Sequence, residues 1–159
     1  VRDLAVAIGE AMHLEAETID ILAGGALLHD IGKIGIPEEI LNKPTTLTEE
    51  EYEVVKTHPD SGVRIASHLK LLSPFLPIIT SHHERLDGSG YPHGLTAEQI
   101  PLEVRIISLA DAFEAMTASR PYREALPIEL AIEELKANSG TQFDPHLVDL
   151  FISEELFRL

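Results

Sequence analysis

Apolar positions spaced three and four apart along most of the chain predict an almost wholly helical protein. One helix is expected over residues 2–13 and a second over 16–29, stopped by the turn Gly32-Lys33-Ile34-Gly35-Ile36-Pro37. A short helix is expected over 38–42. Thr48-Glu49-Glu50-Glu51 has the form of a capping box and opens a helix expected to end near His58-Pro59. Another helix is expected over 60–71, and Pro74 is expected to start one that ends near Arg85. Residues 86–101 read as a loop too long for a plain connector, and such loops in compact domains tend to carry function. A strongly apolar helix follows over 102–118. Pro127 opens a helix that closes at Asn138-Ser139-Gly140. Asp144-Pro145, an N-cap followed by Pro at the first helical position, starts the last one. The expected fold class is all-α, in a single domain spanning residues 1–159. Val1-Arg2-Asp3-Leu4-Ala5 already reads as the middle of an amphipathic helix with no N-cap before it. The chain is therefore expected to be an N-terminally truncated piece of a longer protein.

The informative positions are polar ones that extend inward-facing apolar stripes. On the second expected helix, Ile19, Leu22 and Ala26 continue to His29, with Asp30 beside it. Val54 and Val55 point on to His58. Phe75, Ile78 and Ile79 continue to His82 and His83, and Val104 and Ile107 continue to Asp111. A lone inward His or Asp is usually a core residue satisfied by a neighbour. Six metal-competent side chains extending four inward faces point instead to a shared partner, because a buried carboxylate needs a cation, a hydrogen bond or a metal. His13, at an expected helix C-terminus, and His68 and His146 read as structural or exposed. His93, after Pro92, lies where it could touch a ligand.

Charge narrows the partners. With 27 Asp and Glu against 12 Lys and Arg, the formal net charge is −15, a surface that repels long polyanions. No nucleic-acid polymer is expected as partner. A small phosphorylated substrate is compatible if metal ions and a few basic residues make a local positive pocket. No apolar run approaches 18 residues, so no membrane span is expected. With no Cys there are no disulfides and no thiolate ligands, which leaves His and Asp donors suited to Fe, Mn, Zn or Co.

At this point the residues match a family. His29-Asp30-Ile31-Gly32-Lys33 resembles the signature of the HD phosphohydrolase superfamily. The segment from His82-His83-Glu84-Arg85 through Leu86-Asp87-Gly88-Ser89-Gly90 to Tyr91-Pro92 resembles the motif of its HD-GYP branch. Asn42-Lys43-Pro44, His58-Pro59, Ala110-Asp111-Ala112-Phe113, Ser119-Arg120-Pro121-Tyr122-Arg123 and Gly140-Thr141-Gln142-Phe143-Asp144-Pro145 extend the likeness, in the family's order.

The resemblance implies an HD-domain helical bundle and metal-dependent phosphodiesterase activity on cyclic di-GMP, with pGpG or GMP as product. It implies two divalent ions, three in the family's intact site, with iron or manganese favoured. Metal ligands carry over onto His29, Asp30, His58, His82, His83 and Asp111. Asp30 and Lys33 carry over as catalytic; Lys33, Arg120 and Arg123 as phosphate contacts; Tyr91 as part of the loop beside the substrate. Asp30 is read as the bridge between ions, because a carboxylate has two oxygens and a His does not. The family usually supplies a further metal-binding His before the position of Val1, and Glu114 and Thr45 stand where it commonly has Asp and Gly. The set His58, His82, His83 and Asp30 is thus complete, whereas His29, Asp111 and Asp30 are one ligand short and expected to bind more weakly. A cytoplasmic location and diguanylate cyclase, sensor or receiver partners are also expected. Two other readings stand beside this one: an inactive metal-binding interaction module, and a phosphohydrolase of another nucleotide, such as cyclic GMP-AMP or a nucleoside monophosphate.

Overall fold

The helical pattern is realised as nine α-helices among the described residues, 1–119 and 125–159 of a computed structural model. In chain order they are α1 (Arg2–Ala11), α2 (Ala16–Leu28), α3 (Glu38–Leu41), α4 (Glu49–Val55), α5 (His58–Ala66), α6 (Leu76–Ser81), α7 (Leu102–Thr117), α8 (Ile128–Ala137) and α9 (Pro145–Ser153). Short 3₁₀ turns lie at Ile31–Gly35, Lys70–Phe75, Ala97–Gln99 and Leu156–Arg158. No strand occurs among the described residues; the only ladder fragments are isolated bridges, Asp87 with Thr96 and Ser139 with Phe143. The all-α expectation therefore holds.

α7 is the hub. Val104, Ile106, Ile107, Leu109, Ala110 and Phe113 are buried around most of its circumference. A helix apolar on several sides must be covered on several sides, and α1, α2, α6, α8 and α9 all pack on it. Ile8 of α1, Leu22 of α2, Ile78 of α6, Leu135 of α8 and Phe151 of α9 complete the core. The Phe113 and Phe151 rings meet edge to face, 5.0 Å between centres. Among the described residues, no helix is long and apolar enough to cross a membrane.

The end signals read from sequence act as expected where a side chain can do the capping. Thr48 Oγ1 accepts from the Glu51 amide and Glu51 Oε2 from the Thr48 amide, closing the capping box. Asp144 caps α9 by accepting from the His146 amide at 3.0 Å.

Several boundaries differ from expectation. α1 ends at Ala11, and His13 sits beyond it at φ 56° in the left-handed region. The capped helix α4 stops at Val55, and His58 opens α5, with Pro59 just inside its start. Pro59 therefore begins a helix rather than ending one, since its missing N–H falls among amides that lack intrahelical partners anyway. Pro74 lies inside the 3₁₀ turn, and α6 begins two residues later with Pro77 in its first turn. The helix expected over 60–71 likewise ends at Ala66.

One glycine fixes how the site is assembled. Gly32, in the 3₁₀ turn after α2, is pressed against the first turn of α5, where a Cβ would run into the His58 carbonyl and the Gly62 amide. This contact brings the His29-Asp30 corner onto His58. Gly32→Ala should lower stability by about 3 kcal/mol, as overpacking against rigid backbone does. The check is the midpoint of urea unfolding; a midpoint equal to wild type would show that the two segments do not need this close approach.

Candidate metal centre

Most of the candidate side chains are delivered by helix ends, and Asp111 by the interior of one. His29 caps the C-terminus of α2 and Asp30 leads into the 3₁₀ turn. His58 is the first residue of α5, His82 caps α6, and Asp111 lies two-thirds along α7. Helix ends serve here because three of the imidazoles bond to backbone carbonyls of the preceding turn. His29 Nδ1 lies 2.7 Å from the Ala26 carbonyl, His58 Nδ1 2.8 Å from that of Val55, and His82 Nδ1 3.0 Å from that of Ile78. A carbonyl can only accept, so each Nδ1 carries a hydrogen, and in the neutral ring Nε2 is left to present a lone pair toward the cluster.

Those lone pairs converge. Asp30, His58, His82 and His83 each offer a ligand atom, all within 4.8 Å of one another. His58 Nε2 and His82 Nε2 are 3.3 Å apart, and both lie near Asp30 Oδ1, at 3.4 and 3.8 Å. With neither Nε2 holding a hydrogen, Asp30 Oδ1 is buried without a hydrogen-bond partner. Three acceptors facing one another in a buried space repel unless a cation lies among them. The other oxygen, Asp30 Oδ2, faces His29 Nε2 at 3.3 Å and accepts from Lys33 Nζ at 2.6 Å. His29 Nε2 also faces Asp111 Oδ1 at 3.6 Å. The two carboxylate oxygens thus look into two adjoining groups of donors.

The electrostatics follow the same division. Burial pushes the His83 imidazole down to about 3, with His82 and His58 adding to the effect. Burial likewise lowers His58. For His29, burial opposes the charge, but Asp111 and Asp30 outweigh it and raise its pKa to about 9. Burial would raise Asp30 and Asp111; His29 overrides it for both and holds them below the usual carboxylate range, with Lys33 assisting at Asp30. The residues therefore fit a divalent metal: His58 and His83 are held toward the neutral form, the carboxylates are ionised, and a buried oxygen of Asp30 is orphaned between imidazoles. At His29 a metal ion would take the place of the proton that Asp111 and Asp30 favour there.

Beside this cluster lies a cleft of about 590 Å³, reached by His82, His83, Asp111 and Tyr91. That size suits a small-molecule ligand. Tyr91 stacks on the His83 ring, 4.8 Å between centres and 25° between planes. All six expected metal-competent residues, together with Lys33 and Tyr91, are thus brought to one place. Arg120 and Arg123 lie outside the described residues. Of the other histidines, His68 Nδ1 donates to the Arg64 carbonyl at the surface, and His93 and His146 are exposed.

Sequence reasoning missed the role of Glu84. Its side chain is buried, and its two oxygens accept from the His93 and Leu95 amides at 2.7 and 2.9 Å. Gly90 is pressed against the Glu84 and Arg85 backbone so closely that a Cβ would collide with it. Arg105 holds the far end of the segment through the Ile100 carbonyl at 2.8 Å. The Gly88-Ser89-Gly90 stretch is therefore pinned at several points, and this fixes Tyr91 over His83. Glu84→Ala removes a buried carboxylate that holds two backbone amides and should cost about 2–4 kcal/mol, with Glu84→Gln losing less. Thermal and urea unfolding of both variants check this; equal loss in the two would mean that packing, not hydrogen bonding, is at stake.

Comparison with known proteins agrees with this geometry. The HD domain family matches residues 1–147. The chain belongs to the HD domain family. Its ordered motifs put it with the HD-GYP branch. It is 44% identical over 147 residues to the cyclic di-GMP phosphodiesterase response regulator RpfG of Xanthomonas campestris, covering 91% of this chain and 39% of that protein. It is 43% identical over 124 residues to the 3'3'-cGAMP-specific phosphodiesterase 3 of Vibrio cholerae, covering 78% of this chain and 27% of that protein. Among solved structures it resembles Bd1817, an HDG"Y"P protein from Bdellovibrio bacteriovorus. The TM-score is 0.73 at 21% identity, over 94% of this chain and 49% of the other, which supports the fold. The chain spans less than half the length of these relatives.

Proposed function

We propose that this HD domain is the catalytic part of a metal-dependent phosphodiesterase that hydrolyses cyclic di-GMP to pGpG or GMP. The observation that carries the reading is Asp30. Its Oδ1 is buried, faces two imidazole nitrogens and has no hydrogen-bond partner, while its Oδ2 faces His29 and Lys33. On this reading His58, His82, His83 and Asp30 hold one divalent ion, His29, Asp111 and Asp30 hold a second, and iron or manganese is the expected metal. Bound there, such ions supply a nucleophile at neutral pH and neutralise charge on the phosphoryl and leaving oxygens.

The chain's own groups do the rest. The backbone bonds to Nδ1 of His29, His58 and His82 fix which nitrogen faces the cluster. Lys33, tethered to Asp30, is placed to donate to a non-bridging phosphate oxygen. Tyr91 walls the substrate against His83, and Arg120 and Arg123 contact phosphate. Cytoplasmic placement, with a sensor or receiver segment or a diguanylate cyclase as partner, goes with the same reading.

A second substrate has a specific support. A relative 43% identical is named for 3'3'-cGAMP. The test is hydrolysis of cyclic di-GMP and cyclic GMP-AMP side by side, with Mn(II) or Fe(II) under reducing conditions. Faster turnover of cyclic di-GMP is expected. A marked preference for cyclic GMP-AMP would reassign the substrate, and inertness toward both would leave a metal-binding module.

A further inference from the structure

The Thr48 cap fixes the start of α4, and Tyr52 and Lys56, four residues apart, therefore fall on one side of it. That side is not packed into the core: Tyr52 is 46% exposed. It stands edge-on to Tyr91, with ring centres 6.4 Å apart and planes at 81°. Lys56 Nζ lies 4.9 Å from the Tyr52 ring centre and 5.9 Å from that of Tyr91. Tyr91 in turn stacks on His83. An unbroken run of rings thus leads from a metal-competent imidazole to an ammonium. Both Tyr52 and Lys56 line the 590 Å³ cleft. Tyr52 is also a wall of a second cavity of about 400 Å³, formed with residues 46–49, so its ring stands between two cavities.

Lys56 donates to Glu53 Oε1 at 2.6 Å, and Glu53 is largely exposed. An exposed pair of this kind is a weak tie, so the ammonium is available to a better anion. A cyclic dinucleotide brings one. It carries two phosphodiesters, and only one can sit at the Asp30 cluster. The second enters a cleft of a chain with net charge −15 and needs a local cation. Among the described residues lining the cleft the cations are Lys56 and Arg85; Arg85 Nη1 donates to Gln142 Oε1 at 2.5 Å, and Lys56 is the one that lies beside both the Tyr52 and the Tyr91 ring. The nucleotide's bases need a flat apolar face, which Tyr52 offers.

Resting on the phosphodiesterase reading above, we propose that Tyr52 and Lys56 bind the half of the cyclic dinucleotide that is not being cleaved. Lys56 pairs with the second phosphate, and Tyr52 stacks a base. Aromatic stacking accepts any base, so this wall holds guanine and adenine alike and leaves discrimination between cyclic di-GMP and cyclic GMP-AMP to other groups. Both are positioning residues: they act on binding, not on the reacting phosphorus.

The test compares steady-state hydrolysis of cyclic di-GMP with that of bis(p-nitrophenyl) phosphate, a phosphodiester without a second phosphate, by the Mn(II)-loaded chain. Lys56→Ala should raise KM for cyclic di-GMP about tenfold, the loss of one charge-assisted contact, with kcat nearly unchanged. It should leave bis(p-nitrophenyl) phosphate turnover as in wild type, and Lys56→Arg should restore most of the KM. Tyr52→Ala should raise KM for cyclic di-GMP and cyclic GMP-AMP by similar factors. Tyr52 is exposed and Lys56 partly so, and neither belongs to the buried core, so unfolding midpoints should move little. Unchanged KM in Lys56→Ala, or an equal loss on both substrates, would overturn the inference while the phosphodiesterase reading stands. A wild-type chain inert toward both substrates would overturn the two together.

Discussion

Asp30→Ala should abolish cyclic di-GMP hydrolysis, a loss on the order of 10⁴-fold or more, where each tenfold is about 1.4 kcal/mol of barrier. The reason is the geometry of one carboxylate. Oδ1 faces His58 and His82, and Oδ2 faces His29. Removing the side chain takes a ligand from both groups at once, so bound metal should fall as well as turnover. Asp30→Asn tests charge separately from shape. It keeps an oxygen for one group and offers the other an amide, so it should retain more metal than Asp30→Ala and still turn over poorly. Wild-type turnover in Asp30→Ala would show that the two-group assignment is wrong.

Lys33→Ala should slow hydrolysis by about 10²–10³-fold, the usual cost of one donor aimed at developing phosphoryl charge. Metal content should stay as in wild type. This contrast matters because Lys33 Nζ also bonds Asp30 Oδ2 at 2.6 Å. If Lys33 served only to hold Asp30, its removal would lower metal affinity and turnover in proportion. Activity recovered by raising Mn(II) would point to that holding role; activity still depressed at saturating metal points to contact with substrate. Lys33→Arg keeps the charge with a bulkier head, and partial recovery there is expected.

Most of the helical frame was legible in the sequence because its core faces are periodic. α1, α2, α7 and α8 begin and end within a few residues of expectation, and α9 begins where its Asp-Pro start signal lies. The inward polar positions on α2, α6 and α7 were legible for the same reason: His29, His82 and Asp111 extend apolar stripes, and a side chain on such a stripe faces the core wherever the helix packs. His58 reached the cluster by another route. It was expected to extend the α4 stripe, yet it opens α5, and Val54 is 36% exposed. Proline in a sequence marks a break without saying on which side the next helix lies: Pro59, expected to end a helix, stands inside the start of the next. Glu84 was hidden because its partners are backbone amides about ten residues downstream, which no side-chain pattern reports. Tyr52 and Lys56 were hidden because α4 alone makes them an ordinary exposed pair. Only the packing of the pinned loop, with Tyr91 across the cleft, gives them a neighbour.

The central claim, that two adjoining groups of donors sharing Asp30 make this chain a two-metal phosphodiesterase, is tested most directly by one titration. Metal-stripped chain is supplied with increasing Mn(II), and bound metal and cyclic di-GMP turnover are read from the same samples. The His58, His82, His83 group should fill first and give little turnover. The His29 and Asp111 group should fill at higher Mn(II), and turnover should rise with that second equivalent. Turnover by the stripped chain, or full turnover at one bound equivalent, would contradict the account.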